Sequence, residues 1–204
     1  MNKELKAPAR VSGTVNTPCS KSYAQRTLAG ALLCNGESTI SNIELCDDTR
    51  HAMKAIQDLG ARVSQTGEHT YSVKGGLAPI SDIINTGESG LATRLFTPIA
   101  ALCDRKITVM GKGSMLKRPI GMMIAPLQNL GVEVESDGFL PISVKGPVKG
   151  GETEVDGYVS SQFITGLLTA LPLAEDDTTL HIKHPNSTPY LALTVDVAHT
   201  FGIR

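Results

Sequence analysis

The sequence predicts an α/β fold, a pseudo-threefold domain made by repeating one βαβαββ unit. Three observations predict it. A Ser-rich turn followed by a helix-length apolar stretch occurs three times, as SKSYAQRTLAGALLC from Ser20, ESGLATRLFTPIAALC from Glu88 and SSQFITGLLTALPLA from Ser160. Each is followed by a β-branched run and then by a second stretch of helical spacing that stops at a glycine. The spacing is nearly constant, with 68 positions from Arg26 to Arg94 and 71 both from Gly60 to Gly131 and from Gly131 to Gly202. A period of this size marks one supersecondary unit used repeatedly.

Taken in order, the apolar stretches TLAGALLC, LFTPIAALC and FITGLLTALPLA are too uniformly apolar to face water and predict buried helices. The runs STISNIE, KITVMG and TTLHIK predict strands. Amphipathic helices follow: Asp48 or Thr49 is placed to cap the first, Pro119 falls in the first turn of the second, and Thr188 with Pro189 opens the third. Gly60, Gly131 and Gly202 fit the C′ position that ends them. The first two copies go on through two short strands to the matching pieces YSVKGG and ISVKGP. The crossover lengths suit parallel pairing, with the last two strands of each unit as a hairpin or edge. The repeats span about 20–80, 85–150 and 153–204, behind an N-terminal segment 1–19. The third copy stops two residues after its glycine, so the sequence reads as a piece of a longer chain.

Nineteen Lys and Arg against 20 Asp and Glu leave a formal charge of -1, which provides no bulk field for a nucleic-acid backbone or an anionic membrane. The chain lacks Trp and is 4% aromatic, which also argues against stacking platforms for single strands. No apolar run reaches membrane-spanning length and the start has no signal-peptide segment, so cytoplasm is the expected location. Cys19, Cys34, Cys46 and Cys103 form no metal spacing with the five histidines and read as reduced, mostly buried thiols. No metal or cofactor is expected.

Any anion must therefore be held locally. Ser20, Ser89 and Ser160 or Ser161 stand at equivalent helix entrances, where free N–H groups and the helix dipole favour negative charge; each alone reads as an N-cap. Lys21, Arg26 and Arg118 add cations at those entrances, which points to a phosphate or carboxylate ligand. Arg94, at the repeat position of Arg26, reads either as another such cation or as half of an internal pair with an acid such as Asp48.

At SKSYAQR the chain resembles the 3-phosphoshikimate 1-carboxyvinyltransferase family, the EPSP synthases, over about Ala9 to Arg204. DDTRHAMKAIQDLGA from Asp47, SGLATRLF from Ser89, KRPIG from Lys117, SSQFITGLL from Ser160 and STPYLALT from Ser187 carry the resemblance in order. It implies an enolpyruvyl transferase-like inside-out α/β barrel of two domains closing over shikimate 3-phosphate and phosphoenolpyruvate. Segment 1–19 would belong to the other domain. Residues 20–204 would form the substrate-binding domain, with the C-terminal catalytic domain required in cis. By the same resemblance Lys21 contacts both substrates, while Ser22 and Arg26 hold the shikimate side. Gly90 lets backbone approach phosphoenolpyruvate, and Arg118 grips its anionic groups. Ser160 and Ser161 bind the phosphate of shikimate 3-phosphate, Gln162 lies between the substrates, and Ser187 and Tyr190 complete the shikimate side. The acid and base groups lie in the other domain, so no catalytic residue is expected here and this chain alone should not turn over.

Glu88 stands where the family often has Asn, Leu91 where it often has Thr, and Cys19, where Gly is frequent, puts a thiol beside Lys21. The related UDP-N-acetylglucosamine enolpyruvyl transferases usually carry Cys five residues before the matching Arg, where this chain has Gly113. An RNA 3′-phosphate cyclase would need a basic surface and a nucleophilic His. A non-catalytic anion-binding module is the alternative from another class.

Overall fold

The computed structural model describes residues 12–203, so most of the expected segment 1–19 lies outside the described residues. The first unit holds α1 (Lys21–Leu33), β1 (Glu37–Ile40), α2 (Asp47–Asp58), β2 (Arg62–Gly67) and β3 (Thr70–Lys74). In the second are β4 (Ile83–Asn85), α3 (Gly90–Ala100), β5 (Ile107–Met110), α4 (Ile124–Asn129), β6 (Glu133–Glu135) and β7 (Ile142–Lys145). The third comprises β8 (Gly151–Asp156), α5 (Ser161–Ala170), β9 (Thr178–Lys183) and α6 (Thr188–Thr200).

Each unit has its own sheet. Within the second, β4 and β5 pair in parallel across the α3 crossover, and β7 then inserts antiparallel between β5 and β6. The first sheet repeats the arrangement, with β3 antiparallel between β1 and β2, and β8 pairs in parallel with β9 in the third. The expected closing hairpins thus form, but their second strand occupies the interior of the sheet and their first becomes the edge. Among residues 12–20 no strand opens the first unit.

The apolar helices pack inward as expected. All eleven residues of α3 are buried, and α1 and α5 pack against it. Phe96, Phe163, Leu28, Leu32 and Ile99 are fully enclosed. The α3–α5 approach has a specific cause. Pro98 has no N–H, so the Arg94 carbonyl lacks its intrahelical donor. Gly166 of α5 fills that place with a bare Cα, since a Cβ there would overlap the Arg94 carbonyl oxygen.

The outer helices end alike. Gly60, Gly131 and Gly202 have φ of 113°, 83° and 85°. The amides of Gly60 and Ala61 donate to Gln57 and Ile56, those of Gly131 and Val132 to Gln128 and Leu127, and those of Gly202 and Ile203 to His199 and Ala198. These are three Schellman motifs, one per unit.

Helix α6 opens at Thr188 with Pro189 in its first turn, as expected, but the other two starts differ from the sequence reading. Helix α2 begins at Asp47, and Thr49 is buried within its first turn, its hydroxyl donating to the Glu44 and Cys46 carbonyls instead of capping. Pro119 opens no helix. Two 3-10 turns, Gly113–Lys117 and Gly121–Met123, precede the short α4. The Pro119 carbonyl, which a helix opening there would need for its first intrahelical bond, accepts from Arg94 instead, and the Ile120 amide donates to the Gly138 carbonyl. The thiols also divide: Cys103 is buried, and burial pushes it up to about 11, but Cys46 is exposed.

Candidate anion site at the helix entrances

Two of the three entrance serines cap their helices. Ser20 accepts from the Tyr23 amide at 3.3 Å and Ser89 from the Ala92 amide at 3.2 Å. Ser160 occupies the same position before α5 but makes no side-chain cap bond. The Ser89 hydroxyl also donates to Gln25 Oε1 at 3.2 Å, so the two capping serines are structural, and the third retains a hydroxyl for another partner.

Arg26 lies on the inner face of α1, 3% exposed. Its Nε donates to Thr194 Oγ1 at 2.9 Å, Nη1 to the Ser22 carbonyl at 2.8 Å, and Nη2 to Thr165 Oγ1 at 3.0 Å and the Tyr190 carbonyl at 3.4 Å. The guanidinium also lies 5.8 Å from the centre of the Tyr190 ring. One side chain of the first unit is thereby tied to both helices of the third. Burial lowers it to about 10, which leaves it charged at neutral pH.

Arg94 is similarly enclosed, 4% exposed, and likewise lowered to about 10 by burial, with Arg118 as a second cause. The pair with Asp48, the alternative reading of Arg94, does not form. Asp48 instead holds Lys21, Nζ to Oδ2 at 2.7 Å, and this hydrogen bond raises the Lys21 ammonium above its ordinary 10.5. A raised folded value makes the pair stabilising below the ordinary value, and that benefit is lost as pH climbs through the folded one. Asp48→Asn is expected to return Lys21 to ordinary titration, read from its Nζ resonance in NMR. An unchanged curve would show that the pair does not persist in solution.

Ser22, Arg26, Leu91, Ser161, Gln162, Ser187 and Tyr190 line a cavity of about 230 Å³. A second cavity of about 230 Å³ shares Ser161, Gln162 and Ser187 and adds Arg94, Arg118 and Ser160. Neither lining contains an Asp or Glu. Gly90 lies directly beneath the Arg118 guanidinium, where a Cβ would overlap Nη1. Of the ten residues expected at the site, eight line these cavities, Gly90 lies under one wall, and Lys21 is tied to α2. Ser187 enters α6 in the left-handed region, φ 53° and ψ 41°, with its amide donating to Asn186 Oδ1 at 2.7 Å. A third cavity of about 250 Å³ behind Arg26, walled by Leu33, Val197 and Phe201 among others, is apolar and suits no anion.

Glu88 does not turn its carboxylate into the site. The Ser114 amide and hydroxyl donate to it at 2.8 and 2.7 Å and hold its carboxyl below the usual range. Cys19 contacts the backbone of Glu44. Sequence reasoning left Arg94 undecided and missed Thr165 and Thr194; the match of Arg94 to the repeat position of Arg26 was the available signal.

A sequence model of the EPSP synthase family (3-phosphoshikimate 1-carboxyvinyltransferase) matches residues 5–204. The chain belongs to the EPSP synthase family. It is 36% identical over 209 residues to the 3-phosphoshikimate 1-carboxyvinyltransferase of Cronobacter sakazakii, covering 98% of this chain and 49% of that protein. The protein of the same name from Methanocorpusculum labreanum is 35% identical over 207 residues, with the same coverage. The chain thus spans about half the length of the curated EPSP synthase relatives it matches. An EPSP synthase structure from Acinetobacter baumannii superposes with a TM-score of 0.75 at 24% identity, over 85% of this chain and 41% of that one. That likeness establishes the EPSP synthase fold here, including its repeated α/β architecture.

Proposed function

We propose that this chain is the shikimate-3-phosphate-binding half of an enzyme that transfers the enolpyruvyl group of phosphoenolpyruvate to shikimate 3-phosphate, releasing phosphate. One observation carries the reading. Two cavities meet at Ser161, Gln162 and Ser187, beside the cations Arg26, Arg94 and Arg118, with no carboxylate in either lining. Arg26 and Arg94 are buried and bonded only to hydroxyls and carbonyls, and positive charge held in that way favours an anionic ligand.

Ser22, Arg26, Ser187 and Tyr190 suit the shikimate ring and its carboxylate, and Ser160 and Ser161 suit the 3-phosphate. Arg118 above Gly90 suits phosphoenolpyruvate, and Gln162 lies between. Lys21 would exchange Asp48 for ligand oxygens when both substrates are present. In the reaction the 5-hydroxyl gives up its proton and adds to C2 of phosphoenolpyruvate while C3 gains a proton, and the tetrahedral intermediate then loses phosphate from C2 and a proton from C3 to restore the double bond. This half supplies charge neutralisation and orientation. The proton-transfer groups belong to a second domain in cis, and the chain alone does not turn over. Cytoplasm is the location this activity calls for.

An amide NMR titration with shikimate 3-phosphate tests the reading, with UDP-N-acetylglucosamine as control. Shifts are expected at Lys21–Arg26 and Ser160–Gln162, and Ser161→Ala should weaken binding about tenfold, the loss of one charge-assisted hydrogen bond. No shift at millimolar ligand, or preference for the sugar nucleotide, would overturn it.

A further inference from the structure

Arg94 carries a physical cost that fold stability does not explain. A guanidinium 4% exposed, with no acid beside it and a buried Nε that has no acceptor, is less favourable than an apolar side chain of similar volume. Its three acceptors are not arbitrary. Nη1 donates to the Gly90 carbonyl at 3.1 Å and to Gln162 Oε1 at 3.3 Å, and Nη2 donates to the Pro119 carbonyl at 3.0 Å. Gly90 lies under the Arg118 guanidinium, Pro119 follows Arg118 in the chain, and Gln162 lines both cavities.

We propose that Arg94 is a positioning residue for the anion site. Its planar fork sets the Arg118 loop and the Gln162 side chain at fixed places relative to the start of α3. It also selects the orientation of the Gln162 carboxamide. Because Arg94 takes the Oε1 end, the NH₂ end is left to donate to a ligand oxygen, which is what an anionic ligand requires. Arg26, the repeat equivalent, spends its fork on Thr165, Thr194 and Tyr190 and has no such link to a ligand-facing amide. The identity of the ligand rests on the enolpyruvyl-transfer reading, but the positioning does not.

The test is Arg94→Lys, which keeps the charge but cannot hold acceptors in three directions. Shikimate 3-phosphate affinity is expected to fall about tenfold in Arg94→Lys and in Gln162→Ala, and no further in the double variant, because both remove the same oriented donor. The Gln162 side-chain amide pair, dispersed in the parent, should move to solvent-like shifts in Arg94→Lys. A role in packing alone would lower the melting temperature and leave those resonances in place. Additive losses or an unmoved Gln162 amide would overturn the proposal. If the parent binds no shikimate 3-phosphate, the functional reading fails, and the Gln162 resonances still decide the positioning role. Should Arg94→Lys not fold, Gln162→Glu decides: a carboxylate facing Arg94 should raise the melting temperature at pH 7, with the gain lost as that carboxyl protonates. Absence of any gain would overturn the proposal.

Discussion

Arg26→Ala is expected to cost both stability and ligand binding. The guanidinium is the shared donor for the hydroxyls of Thr194 and Thr165 and the carbonyls of Ser22 and Tyr190. Its removal leaves the two tertiary carbonyl and hydroxyl sets without their charged donor in a buried place. Relief of a desolvated charge offsets part of this, so a net loss of about 3 kcal/mol is expected, at the upper end for a single substitution. The loss should fall on the junction of α1 with α5 and α6, since three of the four acceptors belong to the third unit. Hydrogen exchange is therefore expected to speed first in α6, and calorimetry should show shikimate 3-phosphate affinity reduced about a hundredfold. Arg26→Lys separates charge from geometry, because an ammonium cannot reproduce the fork, and should recover little of either. Parent-like melting and affinity in Arg26→Ala would show that the guanidinium neither joins the units nor meets the ligand.

Gly166→Ala is the second large effect. The added methyl meets the Arg94 carbonyl oxygen and comes to 3.0 Å from Pro98 Cγ, both on a helix whose residues are all buried. Neither neighbour is the free end of a flexible side chain, so α5 has to move off α3. Overpacking of this kind costs about 3 kcal/mol, which at this chain length lowers the melting temperature by about 6–12 °C. Gly202→Ala is the matched control. Its Cβ meets open space, so only the left-handed backbone, φ 85°, resists it, for about 1 kcal/mol. Equal melting temperatures for the two variants would show that the α3–α5 approach is looser than the geometry requires. Because α3 and α5 carry Gly90 and Gln162, Gly166→Ala should also weaken anion binding.

What was legible in the sequence was what neighbouring residues decide among themselves. The 71-residue spacing of Gly60, Gly131 and Gly202 located three Schellman motifs, because a left-handed C′ position admits few residues besides glycine. Apolar runs marked α1, α3 and α5 as buried, since no polar face was left to meet water. The clustering of the expected site residues followed from the repeat, which sets three helix entrances side by side. Other features depended on partners far along the chain. Pro119 satisfies the local rules for starting a helix, yet Arg94 takes the carbonyl that the helix needed. Asp48 was available to Arg94 or to Lys21 by chemistry alone, and packing assigned it to Lys21. Ser20, Ser89 and Ser160 are alike in sequence, and only the structure separates two satisfied caps from one unspent hydroxyl. By itself the sequence determined the repeat and the helix stops. Tertiary structure decided which polar groups are spent on one another, because the partners come from different elements, as Arg94 with Pro119 and Lys21 with Asp48, or from different units, as Arg26 with Thr165 and Thr194, and meet only once those elements have packed.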